Sequence, residues 1–593
     1  MATRTIDPVT LEVVRNALLT ITKEMEYVVG RTSRSNFWVE TGDYSTAVLT
    51  ADGLMVAQGP VGIPVHMGTM PSSVQHALDR IGRDNLQPGD IIWNNDPYSG
   101  SNHLPDVLLA QPIFDERRDL IAIAAVRGHW IDIGGATPCS YSTANRDIQA
   151  EGIRVPHTKI CKAGVLNQEL LDVILANVRM PRERYGDFRA QMAGCTMGEQ
   201  RVQALCQRYG SDAIRECMEE ILNHSERLMR AEISRMPDGE YTAYDYLDGD
   251  AIDQRPLRVQ ATVKIRGDSL EVDFTGTDGP ATGGLNAPYA VTCTAVYYTL
   301  KAITDPEIPS NSGTYRPIRI SVPENSLVNP KWPSPVVAGN HETSSRILDV
   351  LLQALAPVLP DRVVAGLAGS AYGVHLAGLD ERRGLPGREY IMGEPIHGGR
   401  GACLGADGIN AIRTGVVNIR NQPVEVMEMR TPLVIEAEEV VTDSGGPGRW
   451  RGGCASRRVY RLAQGKGILT IIADRESFGP FGLFGGQTGE RCRLTMTSPQ
   501  NERVLFSKFA GPMEQGEVLL VQAAGGGGYG DPLERDLESV RKDLKNGYVS
   551  VDAAGQDYGV VVDPRSGEVD LPATEKLRAK RRQGTQSVAQ ASI

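Results

Sequence analysis

Two loops rich in turn-forming residues carry histidines beside carboxylates, and they constrain the fold more than any other feature of the chain. The first covers residues 94–106, Asn-Asn-Asp-Pro-Tyr-Ser-Gly-Ser-Asn-His-Leu-Pro-Asp, and the second covers 127–135, Arg-Gly-His-Trp-Ile-Asp-Ile-Gly-Gly. A third, acidic loop lies upstream at 40–43, Glu-Thr-Gly-Asp. A fold that brings these loops together can close their side chains around one divalent cation.

The spacing of these residues supports a metal site. His103 and Asp106 are three residues apart, so one tight turn can direct both at the same point. His129 ends the apolar run 120–126, which predicts a buried strand, and a strand's end often faces a cleft. Imidazole and carboxylate ligands suit Zn, Mn, Fe or Co. Taken singly, each residue is equally explained as a turn residue or a hydrogen-bonded core histidine.

The N-terminal segment predicts elements that lead to these loops. Asp7-Pro8 begins an amphipathic helix, with aspartate as the cap and proline in its first turn. The strands 44–50 and 54–58 form a hairpin through Asp52-Gly53, which places Asp43 at the mouth of a strand. His66 precedes the next helix, where it either lines the same cleft as a substrate contact or makes a hydrogen bond at the helix entry.

A second candidate site lies at 339–346. His341, Glu342 and Arg346 stand near a predicted helix start, where free backbone N–H groups favour an anionic substrate or phosphoryl intermediate. The alternative is an ordinary capped helix start with a surface ion pair. After residue 431 the chain is rich in glycine, but no run matches a phosphate-binding or dinucleotide motif. These glycines predict tight turns between strands, or close backbone contacts with a partner subunit.

These patterns predict an α+β class, a multidomain mixed fold in a chain of 593 residues. The expected parts are an N-terminal α/β metal-site region (1–165), a helical segment (166–238), a mixed α/β region (239–430), a glycine-rich β region (431–565) and a disordered tail (566–593). The tail is expected to be disordered because it is basic and polar, with little apolar content for packing.

Composition narrows the possible partners and location. The net charge of −11 argues against nucleic acid as a partner. No run of about 18 apolar residues occurs and the N-terminus lacks a secretory signal, so we expect a soluble, cytoplasmic protein with no membrane contact. The nine cysteines form no CxxC pair, which indicates reduced packing residues rather than a zinc ribbon or a disulfide framework.

The metal loops and several later motifs resemble the hydantoinase B/oxoprolinase family. The later motifs include Asp-Phe-Thr-Gly-Thr at 273–277, Val-Ala-Gly-Asn-His-Glu-Thr-Ser at 337–344, Asp-Ser-Gly-Gly-Pro-Gly at 443–448 and Gly-Gly-Gly-Gly-Tyr-Gly-Asp-Pro at 525–532. The resemblance covers about residues 6 to 565 and implies that Asp43, His103, Asp106 and His129 bind the metal and act in catalysis. Members with oxoprolinase-like sequences often have a His-His pair where this chain has His129-Trp130, which implies a different substrate.

The family resemblance also implies a function. It indicates the B subunit of an ATP-dependent hydrolase of hydantoins, 5-oxoproline or lactams, in which metal-activated water attacks a substrate phosphorylated at a separate subunit. That partner, the hydantoinase A-type subunit, binds ATP and Mg in a hetero-oligomer such as α2β2. The alternatives are a subunit of an ATP-dependent ketone carboxylase of the acetone or acetophenone type, and a non-catalytic scaffold whose metal only stabilises the loops.

Overall fold

The computed structural model describes residues 6–591 except 383, 385, 386, 414, 499, 500 and 564–566, and it has the predicted α+β architecture. Within these ranges the strands form sheets of seven, four, four and five strands. No helix of the described residues has the length and apolar content needed to cross a membrane.

The N-terminal part is an antiparallel seven-stranded sheet with helices packed against it. Its elements are α1 (Pro8–Thr32), β1 (Tyr44–Thr50), β2 (Met55–Gln58), α2 (His66–Ile81), β3 (Ile91–Asn94), β4 (Asp106–Phe114), β5 (Leu120–His129), β6 (Thr158–Lys162) and β7 (Val165–Leu166). The strand order is β2-β1-β5-β4-β3-β6-β7. Strand β5 therefore lies between β1 and β4, and its apolar run is buried as predicted.

Helix α1 shows how the sequence specifies these elements. The Asp7 carboxylate accepts a hydrogen bond from the Thr10 backbone N–H at 3.0 Å, which satisfies a free donor at the helix start. Buried residues follow at helical spacing: Val14, Leu18, Ile21, Met25 and Val29. This stripe packs against a long helix of the following segment, described next.

The helical segment packs against the N-terminal sheet across the boundary predicted at residue 165. It contains α3 (Gln168–Ala176), α4 (Pro181–Tyr209) and α5 (Ser211–Ile233). Helix α4 packs on α1 and on the face formed by β4 and β5. Apolar residues of the sheet and of these helices belong to one continuous core, so neither part buries its apolar surface alone.

The middle of the chain forms a smaller sheet covered by a helix. It contains β8 (Gly239–Leu247), β9 (Leu257–Arg266), β10 (Ser269–Asp273), α6 (Tyr289–Ile303), β11 (Ile318–Ser321) and α7 (Ser344–Leu355). The order is β11-β10-β9-β8, with β10 and β11 parallel. Helix α7 packs on β8, β9 and α6, and α6 packs on α2, which joins this part to the N-terminal sheet.

Two C-terminal sheets enclose a second core. Their elements are β12 (Gly373–Asp380), β13 (Arg388–Glu394), α8 (Val424–Arg430), β14 (Leu433–Val440), β15 (Ser456–Leu462), β16 (Lys466–Ile472), β17 (Arg493–Thr497), β18 (Glu502–Val504), β19 (Lys508–Glu514) and β20 (Val518–Gln522). The orders are β13-β12-β16-β19 and β14-β15-β20-β17-β18. Strand β12 pairs with β16 across the boundary predicted at residue 430.

The glycine-rich segments pack against one another as extended chain. Backbone hydrogen bonds outside the sheets connect Gly399 to Ala524, Gly446 to Gly526 and Gly453 to Arg400. A Cβ at Gly525 would overlap the carbonyl oxygen of Ser444. Close approach within this chain excludes side chains at these positions, while contact with a partner subunit stays a prediction.

The segment after residue 566, expected to be disordered, contains a helix. Helices α9 (Leu537–Asn546) and α10 (Val551–Gln556) precede α11 (Leu571–Ala591), which occupies the segment expected to be disordered. The Thr574 hydroxyl accepts from the Val561 N–H at 2.9 Å, and Arg578 donates to the Tyr558 carbonyl at 2.9 Å. These hydrogen bonds hold the first turns of α11 against residues 558–561, which compensates for the low apolar content of the helix.

Candidate metal centre and substrate pocket

The register of the N-terminal sheet brings the predicted metal-binding loops to one edge. Asp106, the first residue of β4, lies directly opposite His129, the last residue of β5. On the other side of β5, the His129 backbone N–H donates to the Asp43 carbonyl at 3.1 Å. Because antiparallel partners face each other across the ladder, strand pairing alone places these residues together. A shift of one residue would separate the side chains onto opposite faces.

Three of the four predicted ligands converge. His103 Nε2 and His129 Nδ1 each lie 2.8 Å from Asp106 Oδ1 and 3.2 Å from each other. All three residues are buried, and one ligand atom from each lies within 4.8 Å of the others. Two imidazole nitrogens and one carboxylate oxygen are a donor set for a first-row divalent ion such as Zn, Mn, Fe or Co.

Asp43, the fourth predicted ligand, lines the same pocket but lies outside this compact group. Burial raises the pKa of Asp43 well above its usual range, the negative charge of Asp106 raises it further, and Arg413 opposes the shift. Burial also acts to raise the pKa of Asp106, but His103, His129 and His66 hold it well below its usual range. Two buried carboxylates repel each other, and a cation beside them would relieve that repulsion.

Hydrogen bonds outside the group orient the ligands. His103 Nδ1–H donates to the Val337 carbonyl at 2.9 Å, which leaves Nε2 free to act as a ligand. The Trp38 indole N–H donates to the His129 carbonyl at 2.6 Å. Burial, partly offset by Asp106, lowers the pKa of His129 to about 4, so this imidazole is neutral near pH 7. Neutral imidazole is the form that binds metal.

His66, for which the sequence leaves open a substrate contact or a hydrogen bond at the helix entry, does not line the pocket. Its Nε2 lies 3.2 Å from Asp106 Oδ2, and its Nδ1 lies 2.8 Å from the Ser45 hydroxyl. Asn102 donates to the same Asp106 oxygen. His66 therefore fixes the second oxygen of Asp106 and leaves Oδ1 directed at His103 and His129.

A pocket lies against this group. Its walls combine apolar and polar side chains from segments that are far apart in sequence. Apart from Asp43, Asp106 and His129, the lining includes Phe37, Ile63, Val65, Tyr141, Asn340, His341, His375, Glu394, Arg413, Val417 and Ile419. A mixed apolar lining with a few converging polar groups is typical of a small-molecule site.

One wall of the pocket is a stack of three rings. The Tyr141 ring lies 4.4 Å from His375 and 5.7 Å from His341 between centroids, with both pairs nearly parallel. Burial lowers the pKa of His375 to about 3, so this imidazole is neutral near pH 7. Sequence reasoning missed Tyr141, His375 and Arg413, because no local motif marks them and only the tertiary structure places them beside the metal loops.

The structure brings only part of the second candidate site, 339–346, to the pocket. His341 lines the pocket, and Glu342 orients it through a 2.8 Å contact between Nδ1 and Oε1, while Glu342 also accepts from the Ala371 N–H. Arg346, predicted as a substrate contact, does not line the pocket. It is fully buried and donates at 2.7 Å to both Asp245 and Asp474, so carboxylates of this chain already satisfy it.

Comparison with known proteins identifies the family of this chain. Residues 7–532 match the model of the family described as hydantoinase B/oxoprolinase. The B subunit of a putative D-/L-hydantoinase from Pseudomonas sp. (strain NS671) is 34% identical over 97% of this chain and 98% of that protein. The crystal structure of ATP-dependent caprolactamase from Pseudomonas jessenii superposes with a TM-score of 0.90 at 30% identity, over 97% of this chain and 100% of that one.

A more distant structure shares the fold alone. Nucleotide-free acetone carboxylase gives a TM-score of 0.90 at 20% identity, over 98% of this chain and 84% of that chain. The arrangement of sheets around the candidate metal centre is thus common to proteins that differ widely in sequence.

Proposed function

Because this chain belongs to the hydantoinase B/oxoprolinase family, we propose that it is the metal-bearing subunit of an ATP-dependent hydrolase that opens cyclic amides. The observation that carries the proposal is the convergence of His103, Asp106 and His129 beside a pocket that Asp106 and His129 line. A purely stabilising metal has no need of such a pocket, so we favour a catalytic role for the metal over a scaffold role.

A divalent ion held by these residues would polarise a carbonyl and lower the pKa of a bound water. The protein supplies the surroundings for that chemistry. Asp106 holds the two imidazoles in place, Asp43 adds a carboxylate that can accept a proton at its raised pKa, and Phe37, Val65 and Ile419 provide apolar walls for a ring.

We propose that ATP is used on a separate subunit. The hydantoinase relative is named as a B subunit and the caprolactamase structure is described as ATP-dependent, which supports a partner that activates the amide by phosphorylation. An unactivated amide is a poor electrophile, so activation by ATP complements the metal centre. We favour hydrolysis over ketone carboxylation because the caprolactamase is 30% identical to this chain and the acetone carboxylase only 20%.

The deciding experiment measures phosphate release and ring opening in parallel, with the chain assembled with its ATP-binding partner. Hydantoin, caprolactam, 5-oxoproline, and acetone with bicarbonate are the substrates to compare. Asp106→Asn should reduce the metal content and lower product formation by about 100-fold or more, while phosphate release continues. The neutral amide keeps the side-chain volume but is a weaker ligand.

The control is His76→Ala, which removes an exposed histidine of α2. It should retain the metal content and the wild-type ratio of product to phosphate. An unchanged ratio in Asp106→Asn, together with a lower melting temperature, would show that the metal is a scaffold. Turnover of acetone with bicarbonate alone would instead identify a carboxylase.

A further inference from the structure

Arg413 is a buried cation in the pocket that lacks a carboxylate partner. The side chain is 9% exposed, and it donates to the Ser370 carbonyl. Among the described residues it forms no ion pair within 4.0 Å, and its Nε has no hydrogen-bond partner. By contrast, the buried Arg346 and Arg535 each lie 2.7 Å from a carboxylate oxygen.

A buried guanidinium without an ion pair is unfavourable unless polar groups of the protein surround it, as the Thr69 and Ser73 hydroxyls do for the buried Arg127. Arg413 has only the Ser370 carbonyl as a hydrogen-bond partner among the described residues, and it faces the pocket.

Burial lowers the pKa of Arg413 from its ordinary value, while Glu342, Tyr372, Tyr141 and Asp43 act to raise it at longer range. A guanidinium stays charged at any physiological pH, so Arg413 cannot avoid the cost by losing its proton. An anionic ligand beside Arg413 would supply the missing charge.

The neighbouring polar atoms complete a receptor. Asn340 Oδ1 and His341 Nε2 are buried and have no partner among the described residues. His341 Nδ1–H donates to Glu342, so the free Nε2 is an acceptor. Both residues line the same pocket as Arg413. Beside the carboxyl groups of Asp43, Asp106 and Glu394, the pocket thus offers one cation and two unpaired acceptors, which match an anionic oxygen group and a ring N–H.

We propose that Arg413 binds an anionic oxygen group of the substrate, and that this selects a cyclic amide which carries or acquires a negative charge. The group is either a carboxylate on the ring or the phosphoryl group transferred from ATP, and both match the planar donors of a guanidinium. This inference rests on the proposed function in one respect, namely that the pocket beside the metal ligands is the substrate pocket.

The test is a binding measurement on the isolated full chain, which needs neither ATP nor turnover. Calorimetric titration compares 5-oxoproline, 2-pyrrolidinone, which is the same ring without the carboxylate, and inorganic phosphate. We expect the wild type to bind 5-oxoproline or phosphate at least about tenfold more tightly than 2-pyrrolidinone. Arg413→Met should abolish that preference, and Arg413→Lys should keep part of it.

The two sources of the anion give different results. Loss of the 5-oxoproline preference with unchanged phosphate affinity assigns a substrate carboxylate, and loss of phosphate affinity alone assigns the phosphoryl group. The control Arg255→Met removes an exposed guanidinium, 76% accessible, and should change neither the 5-oxoproline affinity nor the phosphate affinity. If Arg413→Met does not fold, Arg413→Lys with a wild-type melting temperature provides the comparison.

Three results would overturn the inference: unchanged affinity for all probes in Arg413→Met, a reduced melting temperature with full affinity retained, or no binding of any probe by the wild type. Each is distinguishable from failure of the proposed function. Loss of ring opening in the assembled enzyme leaves the binding result intact, because the titration does not depend on metal or partner.

Discussion

Single residues at the site are held by contacts that extend one layer beyond the pocket. Glu151 is the clearest case: its Oε1 accepts from the Val336 and Val337 N–H groups at 2.8 and 2.9 Å, and the Val337 carbonyl in turn orients His103. Its Oε2 has no partner among the described residues, and burial raises the pKa of Glu151 to about 8. A buried carboxyl therefore supports the metal ligand in its protonated form.

This predicts a pH-dependent stability. Between its ordinary pKa of 4.5 and about 8, Glu151 binds a proton in the folded protein and loses it in the unfolded chain, so stability falls as pH rises through this window. Glu151→Gln keeps the acceptor and the neutral form. Its melting temperature should equal that of the wild type near pH 5 and exceed it by several degrees near pH 8.

The matched control is Glu116→Gln, at an exposed glutamate between β4 and β5. The difference in melting temperature between Glu116→Gln and the wild type should stay constant across the same pH range. A constant difference for Glu151→Gln as well would show that Glu151 is ionised in the folded protein.

Among elements, a buried network of charges joins the middle sheet to the C-terminal sheets. Asp245 lies on β8, Arg346 on α7, and Asp474 and Arg475 follow β16. Arg346 donates to Asp245 and Asp474, while Arg475 donates to Asp245 at 3.0 Å. Lys508 on β19 completes the network through Asp474 at 2.8 Å. Elements distant in sequence are thus fixed relative to the pocket that they enclose.

Arg346→Met should therefore lower the free energy of unfolding by about 3 kcal/mol or more, because it leaves two buried carboxylates less well compensated. The urea midpoint measures the effect, and Arg255→Met, at an exposed arginine, should change it by less than about 0.5 kcal/mol. In the folded complex the KM should be unchanged. A raised KM with wild-type stability would restore Arg346 as a substrate contact.

Across the whole molecule, glycine-rich strands of extended chain pack side by side and complete the C-terminal half. Their hydrogen bonds run between residues near 399–408, 444–453, 482–489 and 525–530, outside the regular sheets. At Gly525 and Gly527 a Cβ would overlap backbone oxygens of Ser444 and Phe481, which cannot move as a flexible side chain can. Close packing of the backbone therefore requires glycine at these two positions.

Gly525→Ala should accordingly destabilise the protein by at least about 1–3 kcal/mol, through displacement of the adjacent backbone. Gly279→Ala is the comparison, since a Cβ there has no heavy atom within 4 Å. Thermal unfolding and limited proteolysis report the difference. Equal stability of the two variants would show that the glycine layer is loose enough to accept side chains.

The sequence alone determined the local parts. Capping and periodicity specified α1, Asp-Gly specified the β1–β2 hairpin, and a run of apolar residues specified β5, because each depends on neighbouring residues. Residue chemistry at short spacing, with the family resemblance, identified His103, Asp106 and His129 as one group. These signals are contained within a few turns of chain.

Only the tertiary structure decided which distant residues meet. It placed Arg413, Tyr141 and His375 beside the metal ligands, moved His66 behind Asp106, and assigned Arg346 to an internal charge network. It also joined β12 to β16 across a predicted domain boundary. Such contacts depend on strand register and on packing between segments far apart in the chain, for which one sequence carries no local pattern.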